Sequence, residues 1–222
     1  MKNIKFLMVI PILTLITACG LSPMQEKDNI TSEEKVNLLE ETSLFAEDSN
    51  QTGVYLFETN DSKYLNKDGY TIWATNKTNQ SNSFETITME MSKISGRAEA
   101  GYGIVFCEQQ IDDKPYMLTV LINANGLYTI GKIINGMFYH LEDNWKFSNH
   151  INKGYGFKNQ ISISYDNSKN SFLLKINESD ITTFTVPEKI SFKDSKSGFV
   201  VVISNKEAFP VKPVKIEFEE KN

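Results

Sequence analysis

The chain has 222 residues, 40% of them hydrophobic, and its 28 acidic against 23 basic side chains leave a formal charge of −5. An acidic balance without basic runs argues against a phosphate-backbone partner, so no nucleic acid is expected. Two cysteines and two histidines are too few for a disulfide-stapled scaffold or a Cys/His metal cluster, and neither a metal nor a cofactor is expected.

The N-terminus comes first. Lys2 and Lys5 precede an apolar stretch over residues 6–16, which is too short to span a bilayer, and Ile16-Thr17-Ala18-Cys19 follows. This pattern resembles the signal peptide and lipobox of bacterial lipoproteins. The resemblance implies cleavage before Cys19 and acylation of its thiol, and hence a partner membrane. Several acyl chains anchor stably, each buried CH₂ contributing about 0.8 kcal/mol. Removing residues 1–18 leaves 21 basic and 28 acidic side chains, a formal charge of −7. Gly20 is not the aspartate associated with inner-membrane retention, so an outer membrane or cell surface within the cell envelope is expected.

Residues 20–29 are polar and read as a tether. Thr31-Ser32-Glu33-Glu34 fits a capping box, and Val36, Leu38, Leu39, Leu44 and Phe45 form a rough apolar stripe, which predicts a short helix to about Ala46. The expected organisation is a signal over 1–18, a lipidated cysteine, tether and short helix over 19–50, and one domain over 51–222.

That domain reads as all-β. Residues 84–91 are rich in β-formers, and Tyr102 to Cys107 is an apolar run of strand length. Residues 116–122 and 127–133 flank Asn123-Ala124-Asn125-Gly126, a hairpin signature, and Asn135-Gly136 turns the chain into residues 137–141. Ile161, Ile163 and Tyr165 alternate and should share a face, as should Val214, Ile216 and Phe218. Strands are also expected over 171–176, 183–186 and 198–203. Many short strands between Asn/Asp/Gly/Ser turns predict an antiparallel β-sandwich. Cys107, the one cysteine left after acylation, is expected to be a buried hydrophobe.

The order of segments resembles the concanavalin A-like jelly roll in its laminin-G-like and glucanase-like bacterial versions. The matching stretches are Gly101-Tyr102-Gly103-Ile104-Val105-Phe106, residues 116–128, Trp145, residues 159–176 and Ser197-Gly198-Phe199-Val200-Val201, spread over about residues 70–219. Glu178 stands after Asn177 where such domains often carry a glycine.

The resemblance implies glycan chemistry, and glucanases of this fold carry acids at alternate positions of one strand. Glu217 and Glu219 have that spacing but end the last strand, whereas Glu85 and Glu90 fall on opposite faces, so a solvated strand face is expected for both pairs. His140 and His150 have no triad context, and Asp112-Asp113 reads as a turn rather than a calcium loop. No catalytic residue is assigned. Flat rings beside amides and acids suit sugar stacking, which makes Trp145, Tyr155, Tyr139 and Tyr102 the ligand-binding candidates; each could equally pack the sandwich. Three functions follow: a membrane-anchored, non-catalytic binding module for glycan or an envelope protein, a glycan hydrolase with loop-borne acids, or a purely structural envelope lipoprotein.

Overall fold

The computed structural model describes residues 45–47, 53–59, 70–135, 137–142, 144–203 and 214–221, and the signal, Cys19 and the tether lie outside the described residues. In chain order the strands are β1 (Phe45–Glu47), β2 (Val54–Thr59), β3 (Tyr70–Thr78), β4 (Ile87–Ser95), β5 (Tyr102–Ile111), β6 (Lys114–Ile122), β7 (Leu127–Ile134), β8 (Met137–His140), β9 (Lys146–Phe147), β10 (Lys158–Asp166), β11 (Ser171–Ile176), β12 (Ser179–Phe184), β13 (Lys196–Ile203) and β14 (Val214–Glu220). Most of the helix expected over 31–46 lies outside the described residues. Its last two positions correct that expectation: Phe45 and Ala46 pair with Phe57 and Leu56 of β2, so the chain is extended there.

Pairing is antiparallel throughout. One sheet has the order β1-β2-β14-β4-β10-β11-β12; the other runs β3-β13-β5-β6-β7-β8, with β9 also on β7. The main core lies between them. Phe218 of the first sheet meets Phe199 of the second at 4.8 Å, and Phe172 meets Phe106 at 5.5 Å. Ile161, Ile163, Ile216 and Phe218 are fully buried there, with Tyr165 packed against them, as alternation predicts; the side chain of Val214 lies outside the description. Each such aromatic or aliphatic side chain contributes about 1.5–3 kcal/mol on burial.

The second sheet is apolar on both faces. Tyr102, Ile104 and Phe106 of β5 point into the main core, while Val105 joins a second buried cluster with Trp73, Met117, Leu121, Ile133, Phe138, Val200 and Val202. Cys107 follows at the point where the β5–β6 register shifts, with φ of 54°. Its thiol is buried, and burial pushes its pKa up.

Turn chemistry fixes the hairpins. Asp112-Asp113 and Asn177-Glu178 are two-residue connections with positive φ at both positions, the backbone of a type I′ turn. Because the second turn takes only two residues, β12 begins at Ser179, four residues before the start expected at Thr183. Glu178 occupies the left-handed position at φ 67°, where a Cβ costs about 1–2 kcal/mol. Replacing Glu178→Gly should stabilise the domain by about 0.5–1 kcal/mol once the extra entropy of glycine is deducted. Urea unfolding checks this, with Glu178→Ala as the control that removes the carboxylate but keeps the Cβ and should show no gain.

Candidate functional site

On the face of the second sheet opposite the main core, a cavity of about 290 Å³ is walled by Trp145, Phe138, Leu121 and Val202 and edged by Glu99, Asn123, Thr129 and His140. Strand parity places these groups together. In register, Gly131 faces His140 and Ile133 faces Phe138, so the two β8 rings share the face of Thr129 and Ile133. Their rings meet edge-to-face at 4.9 Å.

Both aromatic walls sit on glycines. A Cβ at Gly131 would lie 2.4 Å from the Phe138 ring, and one at Gly101 would lie 2.8 Å from the indole of Trp145. The missing side chains let each ring lie against the sheet. Phe147 pairs with Leu127, placing it on the same face two residues after Trp145; it is 60% exposed, with the Lys153 ammonium 4.3 Å above its ring.

The cavity edge is held by buried polar groups. Asn123 accepts hydrogen bonds from the amides of Asn125 and Leu127 and donates to the Glu99 carbonyl, tying the 123–126 turn to the 96–101 loop. Lys93 continues the inward series Ile87, Met89 and Met91 of β4, is fully buried, and donates through Nζ to the carbonyls of Arg97 and Ala100. A buried ammonium is tolerated when such acceptors meet it. It thereby pins the loop that presents Glu99, Ala100 and Gly101 to the cavity.

The titrating groups have definite charge states. Burial pushes the Glu99 carboxyl up, but bonds from its backbone amide and from Arg97 outweigh that and hold it below its ordinary value, so it is an anion at neutral pH. His140 shares a 2.8 Å hydrogen bond between Nδ1 and Thr129 Oγ1, and burial pushes its pKa down, favouring the neutral ring.

The four aromatic candidates separate. Trp145 is half-buried and lines the cavity. Tyr139 pairs with Lys132, on the opposite face from Phe138 and His140. Tyr155 is 46% exposed, and its hydroxyl donates to the Gly96 carbonyl. Tyr102 is 1% exposed within the main core, where burial pushes its phenol up to about 12, so it offers no ring face to a ligand. The closely spaced acids of β4 and β14 lie elsewhere. Glu90 and Glu219 are cross-strand partners on the first sheet, bridged by Lys158 and Lys221. The hydrogen bond from Lys221 holds Glu219 below its ordinary value. Among the described residues no three His, Cys, Asp or Glu side chains converge.

The sequence does not mark Phe138, Thr129, Glu99, Asn123 or Lys93 as site residues. The period-two pattern and the glycines at 101 and 131 carried the signal, but it becomes readable only once the strands are paired.

No protein-family model and no curated protein matches the chain. Solved structures do. A β-glucanase of Bacillus licheniformis aligns with a TM-score of 0.52 at 8% identity, over 84% of this chain and 83% of its own. A carbohydrate-binding module from Bacillus subtilis covers 79% of this chain and 87% of its own at 10% identity, with a TM-score of 0.43. The carbohydrate recognition domain of Emp46p covers 80% and 93% at 9% identity, with a TM-score of 0.47. The glucanase match is one of fold, in agreement with the jelly-roll architecture expected from the order of segments.

Lowered basicity at His140 has a measurable consequence. The folded state binds its proton less readily than the unfolded chain, so stability drawn from the neutral ring is fully present above the unfolded value of about 6.5 and is lost as pH falls from there through the lower folded value. An NMR titration of His140 should give a midpoint below 6.5, and His140→Gln should flatten that part of the pH–stability curve.

Proposed function

We propose that this chain is a non-catalytic, glycan-binding module held at the bacterial cell envelope by lipid on Cys19. The observation that carries the binding reading is the cavity on the outer face of the second sheet. It combines a half-buried indole with an anionic carboxylate, a hydroxyl and a neutral imidazole, and an exposed ring follows two residues on. Sugars present C–H faces to rings and hydroxyls to such polar groups, and a few placed polar groups on an apolar wall give orientation.

Binding without hydrolysis is favoured by the charge states. Glycoside hydrolysis needs a carboxylic acid whose pKa is raised, beside a second carboxylate. Glu99, the one carboxylate of the cavity among the described residues, is held low instead. Glu90 and Glu219 come together, but the hydrogen bond from Lys221 holds Glu219 below its ordinary value rather than above it. The envelope location rests on the charged start, the apolar stretch and the Ile16-Thr17-Ala18-Cys19 pattern.

Two experiments test the parts separately. On a glycan array the protein should retain a defined set of oligosaccharides, and Trp145→Ala should weaken calorimetric binding of the best of them by about tenfold or more while the variant still unfolds cooperatively. Unchanged affinity in that variant would overturn the cavity as the binding site. Independently, Cys19→Ser should abolish acylation, seen by mass spectrometry as loss of the lipid mass on the N-terminal peptide; an acylated variant would overturn the anchor.

A further inference from the structure

A second cavity, of about 300 Å³, lies under the 186–192 loop that joins β12 of the first sheet to β13 of the second. We propose that it is an independent saccharide site, built from the Tyr165–Phe192 ring wall, the Asn170 amide and the pinned carboxylate of Glu188. The two cavities share no lining residue.

The loop lacks strand pairing yet is held at several points. Gln109 Nε2 donates to the Ser191 carbonyl and Gln109 Oε1 accepts from the Ser191 amide, so one side chain grips the loop reciprocally. The Ser195 amide and hydroxyl both donate to the Phe192 carbonyl, and Asn79 and the 194–195 backbone exchange two further bonds. Such fastening lowers the ordering cost of binding.

The wall is aromatic. Tyr165 stands edge-to-face with Phe192 at 4.7 Å and tilted against Phe172 at 4.8 Å, with Tyr165 and Phe192 only partly buried. The Tyr165 hydroxyl bonds to Asn170 Oδ1, leaving the Nδ2 hydrogens without a partner among the described residues. Glu188 Oε1 receives Lys132 Nζ at 2.5 Å and Oε2 receives the Tyr116 hydroxyl at 3.2 Å. Burial pushes the Glu188 carboxyl up, but the bonded charge of Lys132, its own backbone amide and the Tyr116 hydroxyl together outweigh that and hold it below its ordinary value.

This arrangement selects a class of ligand. A carboxylate oxygen accepts more than one hydrogen bond, so each oxygen of Glu188 can still take a donor. Its charge, however, is already matched by Lys132 with both side chains about one-fifth exposed, which favours neutral hydroxyls over an ammonium. A polyhydroxylated ring meets the three demands at once: donors for Glu188, acceptors for Asn170, and C–H surface for the rings.

NMR titration of the full chain with the methyl glycosides of glucose, galactose, mannose and N-acetylglucosamine tests the assignment. At least one should shift the Asn170 side-chain amide and the 186–192 backbone amides saturably. Asn170→Gly, which suits the residue's φ of 52° while removing the amide, and Glu188→Gln should each weaken that response by about tenfold. Trp145→Ala should leave it unchanged, which distinguishes this site from the first cavity. No saturable response to any of the four sugars, a response that survives both variants, or a response to choline alone would overturn the proposal.

Discussion

Strand parity in the second sheet decides which side chains form the main core and which are left to form the cavity behind it. Tyr102, Ile104 and Phe106 must enter the core between the sheets, which commits Gly101, Gly103 and Val105 to the other face. The same division runs through β6, β7 and β13, so a slip by one residue in any of them would exchange the two sets and lose both clusters. Registry is therefore enforced from two sides. The irregularity at Cys107 ends this regime, and Glu108 and Gln109 after it are only half-buried.

The cavity on the outer face is a consequence of that division. Glycines at 101 and 131 leave room for the rings of Trp145 and Phe138 to lie on the strands, with Trp145 standing directly before β9. Lys93 and Asn123 then spend two buried polar side chains on holding a loop edge. Lys93 stands on β4 and Asn123 directly after β6, and removing either side chain would leave carbonyls or amides without a partner, a cost of about 1–3 kcal/mol per buried group. With Glu99 held ionised and His140 held neutral, the cavity presents acceptors and a hydroxyl rather than an acid–base pair.

Much of the sandwich was legible in the sequence because hairpin turns and period-two runs are local. Asn123 to Gly126 and the alternation of Ile161 and Ile163 needed no partner to be read. The second turn shows the limit: Asn177-Glu178 lacks the glycine that marks a type I′ turn, so the residue pattern alone starts β12 at Thr183, four residues late. Residues 44–46 show another, since Leu44 and Phe45 suit a helical stripe as well as a short edge strand, and pairing with β2 decides for the strand at Phe45 and Ala46. For the site, composition pointed to Trp145, which does line the cavity. Tyr102 could have been set aside on parity alone, because it alternates with Ile104 and Phe106. The polar half of the cavity was out of reach, since Glu99, Asn123, Thr129 and His140 converge only through pairing across β5, β6, β7 and β8.

If the outer-face cavity holds a sugar against the indole of Trp145, a crystal structure of the protein with the oligosaccharide selected on the glycan array will show it. A pyranose ring should be stacked on Trp145, with hydroxyls within hydrogen-bond distance of Glu99 or His140. Sugar density confined to other surfaces, with the Trp145 cavity holding none, would overturn the binding site.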